Sequence, residues 1–503
     1  MAAEKDGSTS AVIGADATLG ARAAGGALVA MGGQLVKIVV QFGGIIVLAR
    51  LLSPGDYGLL AMVVAIVGVG EVLRDFGLSS AAVQASSVSR AQRDNLFWIN
   101  ALIGLLLSVA VFAAAAAIAT FYREPLLRDI AQAIAPTFLI NGLTTQYRAQ
   151  LVRELRFGRL AFADVCGQLA GLAAAVAAAL AGAGYWALVI QQLVQAVAIL
   201  ALMVLSGRWL PGLPQRGVEM RAFMRFGWNL MASQLLAYLS NNVGQMIIGQ
   251  RLGAAPLGLY NRAFALLMMP LTQLSAPATT VALPVLSRLQ GERERYAAYL
   301  LRGQATLMHF IIAVFAVACA LADPLIVLVL GAQWAGTVPI FRMLAIAGVF
   351  QAAAYAAYWV FLSKGLTAAQ LRYAIVSRTL VIACIALGAR WGVIGVAAGY
   401  ALGLALSWPL VLWWLGWISD APVRAMFDNG LRAIVGYALC GAAAWAASLQ
   451  ATAAAPLLRV PAGIAAGLLA FAVLCALWPA FRRDVAGILQ TRTLLRTAKA
   501  GAP

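Results

Sequence analysis

The sequence predicts an all-α polytopic membrane protein of about fourteen transmembrane helices, arranged as two six-helix bundles followed by two extra helices. Three observations carry that reading. Of 503 residues, 63% are apolar or aromatic and only 11% are charged, against about 25% charged in a soluble domain. Apolar stretches recur from Gly25 to Ala480, each close to the roughly 20 residues that cross about 30 Å of hydrocarbon. Sliding the chain by 200 positions aligns MGGQL at Met31 with MASQL at Met231, and the register holds through Gly44/Gly244, Leu52/Leu252, Gly58/Gly258 and Leu59/Leu259.

The chain opens on a polar leader, residues 1–23, without the basic start, short apolar core and cleavage site of a signal peptide. It is expected to be a short cytoplasmic tail. A first bundle over 24–206 takes spans near 24–51, 57–80, 95–121, 129–147, 160–181 and 184–206. A cytoplasmic linker, 207–222, leads to a second bundle over 223–417 with spans near 223–251, 256–287, 300–330, 336–362, 373–389 and 391–416. Spans 13 and 14, near 431–449 and 458–478, fall in an appended segment, 418–480, read as either a lipid groove or a packing pair. A basic cytoplasmic tail, 481–503, ends the chain.

Orientation follows from the basic residues. With the N-terminus in the cytoplasm, 27 of the 36 Lys and Arg fall on the cytoplasmic side, including five in the C-terminal tail. Six fall on the other side, namely Arg50, Arg123, Arg128, Arg251, Arg390 and Arg459. The formal charge of +18 is thereby a topology signal and not a nucleic-acid surface. The clusters Arg148, Arg153, Arg156, Arg159 and Arg208, Arg216, Arg221, Arg225 are read chiefly as topology signals, with contact to anionic head groups as the second account.

Six spans separate the two copies of the repeat, an even number, so both halves share one orientation and their axis runs along the membrane normal. Span 8 is about 32 residues, near 48 Å at 1.5 Å per residue, and must tilt, kink or project. Pro270, Pro277 and Pro284 recur along it on nearly one face, consistent with a gating bend or with a kink that serves packing. Gly395, Gly399 and Gly403 form a small-residue face for close helix contact. All five cysteines lie in apolar spans without metal-ligand spacing.

Three cations, Lys37, Arg262 and Arg342, lie inside spans, where a charge costs at least a few kcal/mol and therefore needs a reason. Lys37 precedes the end of span 1 at Leu51 by as many residues as Glu71 follows the start of span 2 at Tyr57. In an antiparallel pair the two reach one depth, which predicts a Lys37–Glu71 ion pair with Arg74 and Asp75 a turn nearer the cytoplasm. Span 7 carries Asn229, Gln234, Asn241, Asn242 and Gln245, a cavity wall for hydroxyl-rich ligands or a set of interhelical hydrogen bonds. Asp164 and the sole histidine, His309, are candidate proton-coupling groups, though a single polar residue in a span often only caps a neighbour. Arg262 and Arg342, near the outer ends of spans 8 and 10, serve an anion or snorkel to the surface.

The stretch LARLLSPGDYGLLAM (48–62) with FGLSSAAVQ (76–84) resembles the opening helical pair of polysaccharide transporters in the multidrug/oligosaccharidyl-lipid/polysaccharide exporter superfamily. NNVGQMIIGQRLGAAPLGLYNRAFALLMMPL (241–271) with VALPVLSRLQ (281–290) is similar to the second-half pair of the same family, the Wzx-type flippases. The resemblance covers spans 1–12 in arrangement, is sharp in these segments, and fades after about residue 370. It implies two bundles around a V-shaped cavity and an undecaprenyl-diphosphate-linked oligosaccharide taken from the cytoplasmic to the periplasmic face of the bacterial inner membrane by alternating access. The polymer served would be O-antigen or an exopolysaccharide. Membrane lipids, a polysaccharide polymerase and a chain-length regulator are the implied partners, with no nucleic acid and no cofactor. On that substrate, Lys37, Arg74, Arg262 and Arg342 are the cations for the diphosphate and Asn241, Asn242 and Gln245 the amides for sugars. Glu71, Asp75 and Asp164 are the coupling or ion-pair groups.

No GxxxxGK[ST] loop, HExxH or Cys/His cluster occurs, so ATP hydrolysis and metal-assisted catalysis are not expected. A membrane polymerase needs a large extramembrane loop to hold its substrates, and every outward loop expected here is short. A cation-coupled drug exporter of the same superfamily is the alternative within transporters, but its cavity favours acidic and aromatic residues over cations. A peptidoglycan-precursor flippase satisfies the same physics, and the resemblance favours exopolysaccharide or O-antigen units.

Overall fold

A computed structural model of the chain describes residues 32–75, 89–207, 209–217, 221–450 and 456–487. Every regular element among them is a helix. The chain divides into two compact units. The first comprises residues up to Asn242 together with Gly253–Ala255, and the second Val243–Leu252 and everything from Pro256 onward.

The first unit contains α1 (Gly32–Leu51), α2 (Pro54–Asp75), α3 (Arg90–Tyr122), α4 (Leu126–Ile134), α5 (Pro136–Arg153), α6 (Phe157–Leu180), α7 (Trp186–Gly207) and most of α8 (Arg221–Leu252). Sequence chemistry sets the breaks. Between α1 and α2, the Ser53 hydroxyl accepts from the Asp56 amide at 3.2 Å and the Asp56 carboxylate accepts from the Ser53 amide at 2.8 Å. This reciprocal cap starts a helix whose first residue, Pro54, has no N–H to lose. Ser89 and Gln92 close a capping box on α3. The expected span at 129–147 is instead two helices, because Pro136 starts α5 and leaves α4 as a nine-residue helix of its own.

α6 and α7 pack closely, since a Cβ at Gly171 would lie 2.8 Å from the Gln191 carbonyl oxygen. α1 lies on α6 through Gly33, whose Cβ would meet that of Ala161 at 2.5 Å, and through Gly44 against Leu172. A core of Phe97, Tyr147, Leu151, Ala163, Met203 and Trp209 ties α3, α5, α6 and α7 to the segment after α7. That segment is strapped to the start of α3: Asn95 and Gln215 exchange two 2.8 Å hydrogen bonds, Trp98 donates to the Gly212 carbonyl, and Trp209 donates to buried Asp94.

The second unit contains the last residues of α8, then α9 (Ala254–Arg288), α10 (Arg293–Ala320), α11 (Ala322–Leu330), α12 (Thr337–Ser363), α13 (Thr367–Gly388), α14 (Gly392–Ile418), α15 (Val423–Gln450) and α16 (Pro456–Leu477), with a final helical segment over 479–487. α9 keeps Pro270, Pro277 and Pro284 within one helix of 35 residues. The expected small-residue face packs as read, for a Cβ at Gly399 would lie 2.3 Å from the Cys384 carbonyl oxygen and one at Gly403 2.8 Å from Val381 Cα. The expected span at 300–330 is shorter and starts earlier, as α10, and its last residues form the separate nine-residue α11.

Eleven stretches among the described residues are long and apolar enough to cross a membrane. One of them, Thr367–Ile418, is 52 residues long and is interrupted by the 3-10 turn Ala389–Trp391. The chain is thus an all-α, multi-pass membrane protein. The repeat is visible in the break points: α2 starts at Pro54 and α9 at Ala254, 200 positions apart, although the first break uses a side-chain cap and the second uses Gly253 at φ +87°.

Candidate functional site

In the first unit α1, α2, α5 and α6 bring charged groups together. On α5, Asn141, Thr145 and Arg148 fall at i, i+4 and i+7 and share one stripe. From α2, Arg74 meets that stripe, donating from Nη1 to the Asn141 carbonyl at 3.1 Å and to the Thr145 hydroxyl at 2.8 Å. Its Nε donates to the Glu71 carboxylate at 2.9 Å, and Asn141 Nδ2 donates to the other Glu71 oxygen at 3.2 Å. One turn along, Arg148 donates from Nη1 to Asp164 of α6 at 3.1 Å and pairs through Nη2 with the second carboxylate oxygen. Lys37 of α1 approaches the same carboxylate at 3.7 Å.

The exposures decide what this patch is. Asp164 is 13% exposed while its partners Lys37 and Arg148 are 39% and 41% exposed. Arg74 is 18% and Glu71 40% exposed. The carboxylate that gathers two cations is enclosed, and the cations around it remain reachable. A cleft of about 140 Å³ lies beside them, lined by Gly33, Gln34 and Lys37 of α1 and by Phe157, Leu160, Ala161, Asp164 and Val165 of α6.

The expected Lys37–Glu71 ion pair is corrected by this geometry. Matching depth along two antiparallel helices leaves rotation undetermined. Gly33, Lys37 and Gly44 lie on the face of α1 that packs on α6, so Lys37 takes Asp164, and Glu71 turns to α5. Asp164 is a shared counter-ion, whereas His309 is buried against Tyr437, whose hydroxyl lies 3.2 Å from Nδ1. Asp75 is the last described residue of α2 and its side chain lies outside the described residues.

The amide series on α8 divides. Asn229 has its side chain outside the described residues, and Gln234 is exposed. Asn241 is exposed, and Asn242 donates to the Tyr238 carbonyl one turn back at 2.9 Å. In the second unit, Gln245 accepts from Asn261 at 2.9 Å, and Asn261 in turn accepts from Arg262 at 3.0 Å. Two expected site residues are thus joined through a third that sequence reading passed over. Arg342 has a different set of neighbours: it pairs with Asp323 of α11 at 2.5 Å and donates to the Cys319 carbonyl at 3.4 Å.

A larger groove, about 470 Å³, runs between α10, α12 and α15, walled by Phe315, Ile346, Phe350, Tyr437 and Trp445 among others. Among the described residues, Arg342 is the one charged residue on its wall. Its chemistry suits apolar chains, and the convergence of charges is at the smaller cleft. Arg148, Asn141 and Thr145 were missed as site residues; their i, i+4, i+7 spacing was the available signal, but the expected span stopped at 147, one residue short of Arg148, and the helix runs on to Arg153.

The family described as polysaccharide biosynthesis protein matches residues 47–339 of the chain. The chain is 25% identical over 367 residues to the lipopolysaccharide biosynthesis protein WzxC of Escherichia coli (strain K12), covering 71% of this chain and 73% of that one. It is 28% identical over 312 residues to the succinoglycan biosynthesis transport protein ExoT of Rhizobium meliloti (strain 1021), covering 61% and 62%. Among solved structures, the lipid II flippase MurJ in an inward closed conformation shares the fold with a TM-score of 0.68 at 13% identity, covering 91% of this chain and all of that one.

Proposed function

The chain belongs to the polysaccharide biosynthesis protein family, and from that premise we propose that it is a flippase for polyprenyl-diphosphate-linked oligosaccharide repeat units. It is a transporter and not an enzyme: it takes units assembled on the cytoplasmic face of the bacterial inner membrane and releases them on the periplasmic face, for O-antigen or exopolysaccharide synthesis. The observation that carries the reading is the set of three cations, Lys37, Arg74 and Arg148, gathered around two carboxylates within one helical bundle. A partly exposed excess of cations inside a membrane bundle is costly unless an anion visits it, and a diphosphate is the anion such a lipid carries.

In this reading the bundles are 24–206 and 223–417, joined by the linker 207–222, and they alternate access to one substrate site. Fourteen crossings result when the 52-residue stretch counts as two and the α4–α5 pair and polar α8 each count as one. The helices in 418–480 are an appendage, and both termini, 1–23 and 481–503, are cytoplasmic. Lys37 and Arg74 receive the diphosphate from the cytoplasmic side, with Arg262 and Arg342 as its cations on the outward path. Asn241, Asn242 and Gln245 offer donors and acceptors to sugar hydroxyls. Glu71, Asp75 and Asp164 are the acidic groups available to exchange those cations. A polysaccharide polymerase and a chain-length regulator act on the delivered units.

Deletion of the gene, with analysis of envelope polysaccharide and of lipid-linked oligosaccharides in the inner membrane, tests the function. Loss of one polymer with accumulation of its complete repeat unit on the cytoplasmic face is the expected result. Unchanged polysaccharide with altered drug sensitivity would overturn it in favour of a drug exporter. A single unit delivered outside and never polymerised would point to an enzyme.

A further inference from the structure

We propose that Asp164 is an internal competitor for the transported anion: a carboxylate that occupies the substrate's two cations in the empty site and recaptures them to drive release. The inference rests on the reading that the first-unit patch takes the diphosphate. Asp164 comes from α6, Arg148 from α5 and Lys37 from α1, so three helices meet at one carboxylate. Holding two helices together requires only one cation per carboxylate. Here two share one, and the pair Arg74–Glu71 on α2 stands beside them with its own contacts to α5.

The charges define an exchange. Asp164 is enclosed, while Lys37, on the cleft wall, and Arg148, on the other side of the carboxylate, both keep part of their side chains exposed. An arriving diphosphate offers more negative charge and more acceptor oxygens than a single carboxylate, and a guanidinium matches its geometry in bidentate fashion. Once the cations turn to it, Asp164 is left enclosed without its partners and close to a second anion. Both effects raise the energy of the loaded state. Departure of the diphosphate restores the two ion pairs. The empty and loaded forms are thereby kept near in energy, as a carrier requires, and the binding that loads the site does not trap it.

The test measures binding of farnesyl diphosphate to the full chain in lipid nanodiscs. Lys37→Ala and Arg148→Ala should weaken binding. Asp164→Asn, which keeps the shape and removes the competitor, should tighten it about two- to fivefold while polysaccharide output in cells falls. Weakened binding in both cation variants with unchanged or weaker binding in Asp164→Asn would overturn the competitor role and leave the site assignment standing. Absence of binding to the wild-type chain would overturn both. A measurement on the wild-type protein guards against misfolding of the Asn variant: a carbodiimide joins Lys37 Nζ to the Asp164 carboxyl in the empty site, and farnesyl diphosphate should lower the yield of that crosslinked peptide. A yield that stays constant would overturn the exchange.

Discussion

The charged groups of the two units are organised differently. In the first unit, Lys37 and Arg148 share Asp164, and Arg74 divides its donors among Glu71, Thr145 and the Asn141 carbonyl. In the second, Lys364 pairs with Asp420 and Arg432 with Asp484, one cation to one carboxylate. Arg432 and Asp484 are 26% and 18% exposed, and they fasten the 479–487 segment to α15 beside Phe481, which is fully buried. A one-to-one pair satisfies both charges and fixes two elements. A shared carboxylate under an excess of cations satisfies neither fully and leaves charge to be met by something that comes and goes.

If that difference separates function from support, variants of the two kinds will fail in different assays. The largest effect is expected for Lys37→Ala combined with Arg148→Ala, where loss of two charge-assisted contacts should lower transport about 100-fold with little change in the thermal midpoint. A drop in stability of similar size to the drop in transport would collapse the distinction. Next comes Arg432→Ala, which strands Asp484 in a mostly enclosed position. Unfolding should become easier by about 2 kcal/mol, read as a lower melting midpoint in detergent, while transport per folded molecule stays at the wild-type level. Arg342 is the intermediate case, with one carboxylate partner like the other second-unit pairs but on the wall of an apolar groove. Arg342→Ala is expected to lower transport about fivefold, with Arg342→Lys recovering most of it; a purely structural role would leave transport unchanged and lower the midpoint instead.

Much of this organisation was legible in the sequence. Hydropathy located most of the helices, and the offset of 200 paired the two junctions through Leu52 and Leu252, although the spans after them were read from 57 and 256 and the helices start at Pro54 and Ala254. What the repeat hid was its continuation. α5 and α12 are each preceded by a nine-residue helix, α4 (Leu126–Ile134) and α11 (Ala322–Leu330), and no run of identities marks the correspondence because helix length, not residue identity, is what the two halves preserve there. The site was half legible. Lys37, Glu71, Arg74 and Asp164 stood out because charges inside spans are expensive, but depth alone paired Lys37 with the wrong carboxylate, and the rotation was encoded in Gly33 and Gly44, whose lack of a side chain marks the face of α1 that packs on α6. Arg148 was read as a topology signal, since a basic residue that orients a loop and one that serves a site have the same sequence appearance.

The smallest expected effect gives the finest test of the comparison. Thr145 accepts from Arg74 at 2.8 Å while its own hydroxyl donates back to the Asn141 carbonyl at 2.9 Å, and that carbonyl also accepts from Arg74 at 3.1 Å. Thr145→Ala removes one of three acceptors from the guanidinium and leaves the Glu71 and Asn141 contacts in place. The loss of one hydrogen bond from a largely enclosed guanidinium that keeps two other acceptors is worth about 1 kcal/mol, so the transport rate should fall roughly two- to fivefold. The fall should appear in the apparent affinity for the lipid-linked unit and not in the maximal rate, because Arg74 keeps its charge and loses only its aim. Thr145→Ser keeps the acceptor and should behave as wild type. A Ser variant as impaired as the Ala variant would assign Thr145 to helix packing, and Arg74 would then be positioned by Glu71 and Asn141 without it.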